Sequence, residues 1–128
     1  MKGKSREPIK VGPKSHEIEL GHIPDWHIWD LKSATLQFLL PRLQAFKRFH
    51  VDGKAQGIPI WVAPYCEREQ PSEIELSQKW IEILDQMILG FEVIATPSSF
   101  LTIDLEEQSA IKERGFKLFA EFFEHLWD

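Results

Sequence analysis

Residues 71–97 read PSEIELSQKWIEILDQMILGFEVIATP. Ser72 followed by Glu75 is a capping-box pair, in which each side chain accepts a backbone N–H that the first helical turn leaves without a partner. Pro71 suits a first turn, where its missing N–H costs nothing. Ser77, Trp80, Ile81, Leu84, Met87, Ile88, Phe91 and Ile94 recur at the helical period and make one apolar stripe. Gln78, Lys79, Glu82, Asp85, Gln86 and Glu92 face away from it. Pro97 sets the far end, because the residue before a proline avoids helical angles. The stretch therefore reads as one long amphipathic helix whose stripe needs covering by other helices.

Downstream, Ser98 and Ser99 lead to a second start signal, Asp104 with Glu107. Ile111, Gly115, Leu118, Phe119, Phe122, Phe123, Leu126 and Trp127 then share one side of a helix; Glu106, Glu113, Lys117, Glu121 and Glu124 share the other. Glu113 and Lys117 are ordered for an i,i+4 pair worth ~0.3 kcal/mol.

Upstream, residues 50–70 read as a linker. Asp52, Gly53 and Gly57 are turn signals, and Pro59, Pro64 and Pro71 forbid a long helix. Ile58, Ile60, Trp61, Val62 and Tyr65 are too apolar for a free loop, so the segment should pack over the core with a short strand at 58–62. Before it, Asp30 is a good N-cap for a helix reaching about Phe49. Ser33, Gln37, Gln44 and Arg48 make a narrow polar strip on that helix. Leu31, Thr35, Phe38, Leu39, Leu43, Phe46 and Phe49 fill a much wider apolar arc, which predicts a central helix touched on two sides. Pro41 removes a backbone donor and crowds the Gln37 carbonyl, so a kink or break is expected near residues 37–40.

The first twenty residues differ. Ile9 and Val11 flank Lys10, and Ile18 and Leu20 alternate with Glu17 and Glu19, around a turn at Gly12, Pro13, Lys14 and Ser15. This reads as a short β-hairpin or arm, which would have to lie on the helical body to be stable. The expected architecture is mainly α: a three-helix bundle over 21–128 with an N-terminal hairpin or arm, 1–20, packed on it.

Composition bounds the function. At 128 residues with 43 % apolar and 27 % charged, the chain suits one globular domain, and nine Phe and five Trp exclude wholesale disorder. The single Cys66 excludes an internal disulfide framework or a cysteine-based zinc cluster. No apolar run is long enough to span a membrane, and the basic start has no apolar stretch behind it, so no membrane partner is expected and the cytoplasm is the expected location. Residues 1–14 carry +4, which leaves −9 on the rest of a chain of net charge −5. An acidic body disfavours nucleic acid as the main partner, since phosphate neutralisation supplies most of that affinity.

Several stretches together carry a resemblance. They are Trp29-Asp30-Leu31 through Thr35-Leu36 to Leu39-Leu40-Pro41-Arg42-Leu43; Trp80 with Ile83-Leu84-Asp85-Gln86-Met87-Ile88 and Phe91-Glu92; and Gly115-Phe116-Lys117-Leu118-Phe119-Ala120 with Leu126-Trp127-Asp128. The chain resembles a family of small helical proteins encoded by tailed bacteriophages and prophages. It departs from that family at Gly90, where alanine is usual, and across the 51–72 linker. The resemblance implies a helical fold and a phage origin, with the host cytoplasm as location. It brings no activity.

The chemistry-bearing candidates are sparse. His22, Asp25 and His27 offer two imidazoles and a carboxylate for a metal, but sit in a short stretch containing Pro24. Glu121 and His125 are one turn apart, with no second such pair on another helix. Glu82 and Asp85 are spaced as on the acidic helix of an all-α, metal-dependent nucleotide hydrolase, yet the first helix supplies Ser33, Gln37 and Gln44 where that chemistry needs more carboxylates. Cys66 has no base fixed beside it. No catalytic residue, metal or cofactor is assigned. The aromatic excess is the stronger signal. Leu89 and Val93 sit on the otherwise polar side of the long helix and, with Trp26 and Trp61, form the expected contact set of a module that binds protein or itself. The nucleotide hydrolase using Glu82 and Asp85 is the alternative.

Overall fold

The computed structural model describes residues 23–127. The chain divides into two compact units, 1–31 and 32–128. The expected hairpin or arm lies outside the described residues. Among those residues there is no strand, and the fold is all helical.

Four α-helices follow one another: α1 (Asp25–Trp29), α2 (Leu31–Val51), α3 (Glu73–Ala95) and α4 (Leu105–Phe122). The capping box of α3 is closed in both directions, with Glu75 N–H donating to Ser72 Oγ at 3.2 Å and Ser72 N–H donating to Glu75 Oε1 at 3.1 Å. Pro71 stands one residue before this cap, outside the helix. Asp104 caps α4 by accepting from Glu107 N–H at 2.8 Å.

Three expectations need correction. First, of the kink or break expected at Pro41, the break does not occur: α2 runs through Pro41 as one helix. Pro41 and Gln37 are both exposed, so water can reach the carbonyl that lost its donor, and Arg42 Nη1 donates to the neighbouring Phe38 carbonyl at 2.8 Å. Second, α2 is peripheral. It buries only Leu36 and Leu43, whereas α3 buries nine residues and is the central element. Phe38 and Phe49 are left exposed on the side of α2 away from the core. Third, residues 58–62 form no strand. Ile60 N–H donates to Ile58 O at 2.8 Å around Pro59, whose ψ of 70° is that of an inverse γ-turn, and a 3₁₀ helix Ile60–Tyr65 follows. Two prolines in seven residues, Pro59 and Pro64, remove the donors a ladder would need. The segment nevertheless packs over the core as expected, with Pro59 and Val62 fully buried.

One contiguous cluster forms the core: Leu36 and Leu43 of α2, Trp80, Leu84 and Met87 of α3, Val62, and Leu118 and Phe122 of α4. The closest approach of α3 to α4 is glycine on glycine. A Cβ built on Gly90 would stand 2.6 Å from Gly115 Cα, and one on Gly115 would stand 2.7 Å from Gly90 Cα. Gln108 is buried at the start of α4 and holds the preceding loop. Its Nε2 donates to Ile103 O at 2.9 Å, and its Oε1 accepts from Ser98 Oγ at 2.9 Å.

Candidate functional site

The expected contact set is split by the structure. Val93 is 5 % exposed and Leu89 46 %, so the two do not share a surface. At about 100° per residue, a side chain four positions on is offset by roughly 40°, enough to carry Val93 under cover. Trp61 belongs to the core rim. It meets Trp80 edge-on at 5.4 Å and stacks flat on His125 at 4.6 Å. The indole Nε1 atoms of Trp61 and Trp80 are buried with no hydrogen-bond acceptor, so ring packing is what holds this cluster. Trp26 is exposed on α1, its ring edge-on to His27 at 4.3 Å.

Among the described residues the metal candidates do not assemble. His22 lies outside the described residues, and Asp25 and His27, two apart on a helix, point to opposite sides. His125 is engaged with Trp61 while Glu121 is exposed. Cys66 donates its S–H to the Val62 carbonyl at 3.6 Å. Glu82 pairs with Lys79 at 3.3 Å, and Asp85 pairs with Lys47 of α2. Among the described residues, no group of three His, Cys, Asp or Glu side chains comes together to hold a metal.

What the structure builds around Leu89 is a surface. A groove of about 730 Å³ runs between α2 and α3, with Gln44, Lys47 and Arg48 on one wall and Asp85, Glu92 and Leu89 on the other. A second groove, of about 250 Å³, runs between α3 and α4, between Leu89 on one side and Ala110, Ile111 and Arg114 on the other. Leu89 is the ridge between them. The first groove is bridged at two heights, by the Lys47–Asp85 ion pair and by Gln44 Nε2 donating to Glu92 Oε2 at 3.2 Å. Arg114 Nε donates to Gln86 Oε1 at 2.9 Å across the second. Charge is segregated by element: α2 holds four Lys or Arg and no acid, and α3 holds five acids and one Lys.

A second exposed feature lies on another side of α4. Phe91, buried on α3, meets Phe116 at 5.3 Å and Phe119 at 5.2 Å, and Phe119 meets Phe123 at 5.3 Å. Phe116 is 54 % exposed and Phe123 60 %. Leu105, also exposed, falls on the same flank by helical spacing. Arg114 and Phe116, two residues apart, place the groove and this ladder on opposite sides of α4. Helical periodicity along α4 does not reveal the ladder, because Phe116 falls off the core stripe and Phe123 falls on it.

Comparison with known proteins returned no matching protein family, no similar curated protein and no similar solved structure.

Proposed function

We propose that this chain is a non-catalytic helical module that works by binding protein, a second copy of itself included. The observation that carries the reading is the Phe116–Phe91–Phe119–Phe123 ladder, a connected set of rings whose two ends stand in solvent. Single exposed apolar residues are normal on a surface; linked aromatic rings on one helix flank are what interface cores are made of. The phage-type resemblance belongs to the same reading: it implies a small helical protein and supplies no reaction. The alternative, a nucleotide hydrolase on Glu82 and Asp85, is supported by no geometry, because each of those acids faces a lysine and not a further carboxylate.

Light scattering across ~5–200 µM tests the proposal. The wild-type mass rises with concentration. Phe116→Ser combined with Phe123→Ser lowers that rise. Each ring also gives up an edge-on contact within the ladder, so the double variant should lose about 1–3 kcal/mol of stability, which urea unfolding measures so that both proteins are compared folded. Identical mass curves for the two proteins would overturn it.

A further inference from the structure

We infer that the α2–α3 groove is a separate seam for a second copy of this chain, paired about a two-fold axis that runs along the groove, parallel to the helices. The inference deepens the protein-binding reading but rests on a different face. Its basis is the segregation of charge across the groove. Lys47 and Arg48 stand on the α2 wall, Asp85 and Glu92 on the α3 wall, and the walls already match in height, Lys47 with Asp85 and Gln44 with Glu92.

A two-fold axis along such a groove keeps height and exchanges sides. The α2 wall of one copy therefore lies over the α3 wall of the other at the same level. Every pairing made across the groove within one copy is offered again between copies, Lys47 and Arg48 over the second copy's acids and the reverse. An isologous interface needs this kind of self-complementary patch. An axis perpendicular to the helices would instead set basic wall on basic wall, which like-charge repulsion opposes. Leu89, 46 % exposed at the edge of the acidic wall, supplies apolar area beside the charges.

The test is a charge exchange between copies. Lys47→Glu with Arg48→Glu makes both walls acidic and takes the net charge from −5 to −9. Asp85→Lys with Glu92→Lys makes both walls basic and takes it from −5 to −1. Neither protein is net positive, so bulk attraction does not drive them together. At low salt, each alone should self-associate roughly tenfold or more weakly than wild type, and an equimolar mixture should recover the two-copy mass. The milder set, Arg48→Glu against Glu92→Lys, keeps the Lys47–Asp85 pair and serves if the double variants fold poorly. The Phe116→Ser, Phe123→Ser protein should keep the two-copy species. A mixture that stays single-copy overturns the seam, as does undiminished self-association of either charge variant. If association survives both charge variants and is lost with the two Phe substitutions, the seam is wrong and the ladder reading stands. A wild type that is single-copy throughout overturns both.

Discussion

Gly53 has a φ of +72°, the one positive φ among the described residues. It ends α2 in a Schellman arrangement: Gly53 N–H donates to His50 O at 3.1 Å and Lys54 N–H to Phe49 O at 3.1 Å. Nothing lies within 4 Å of a Cβ built there, so the cost of a side chain is backbone strain alone. Gly53→Ala should lower stability by about 1 kcal/mol in urea unfolding. Glu75 is a second residue whose role follows from its partners. The Ser72 backbone N–H, aided by the Ser72 hydroxyl and Arg68, holds its carboxyl below the ordinary value. A carboxyl lowered on folding contributes stability above its unfolded pKa of about 4.3, and that contribution is lost as pH falls through the lower folded value. Glu75→Gln keeps an acceptor oxygen without the proton linkage. Between pH 6 and 3 the variant should lose less stability than wild type; equal slopes would place the linkage elsewhere.

Among the elements, α2 departs furthest from its sequence pattern. Its wide apolar arc reads as a central helix, yet three-dimensional neighbours cover only the Leu36 and Leu43 side. Pro41 sits in its exposed interior with no packing to justify it. Pro41→Ala restores the N–H that Gln37 O lacks, so α2 should be steadier. The gain is about 1–2 kcal/mol, below the ~3 kcal/mol of a helix-interior proline because proline also restricts the unfolded chain. Urea unfolding measures it, and a loss of stability would show that the proline geometry is needed. The ends of α3 were legible in advance because caps are local: Ser72, Glu75 and Pro97 act on backbone groups within a turn of themselves. The 3₁₀ segment was half legible. Its apolar content announced burial, but alternation over so few residues does not separate a strand from a tight helix, and the prolines decided.

On the scale of the whole molecule, the Gly90–Gly115 crossing sets how closely α3 and α4 approach. Each built Cβ meets backbone, which cannot rotate away as a side-chain tip can. Gly90→Ala and Gly115→Ala should each cost about 1–3 kcal/mol, and the double variant should cost less than the sum, because helices already parted for one methyl have room for the second. A double-mutant cycle by urea unfolding measures the coupling; full additivity would mean that the two positions do not share a contact. The same scale governs the surface. Whether Leu89 is a ridge and Val93 is covered depends on which neighbours come to rest against α3, which no periodicity along α3 contains. The Phe ladder likewise needs Phe91 of α3 to lie between two rings of α4.

From the residues alone came the helical class, the start and stop of α3, the start of α4 and the packing of the 58–65 segment over the core; the end of α4 did not, since the apolar stripe continues to Trp127 but the helix stops at Phe122. Those properties rest on interactions a few residues apart. Tertiary structure alone decided that α3 and not α2 is central, that two glycines meet at the tightest crossing, and which apolar side chains remain outside. Each of these is a matter of which faces of separate helices find one another, and burial is a property of that pairing and not of any one stripe.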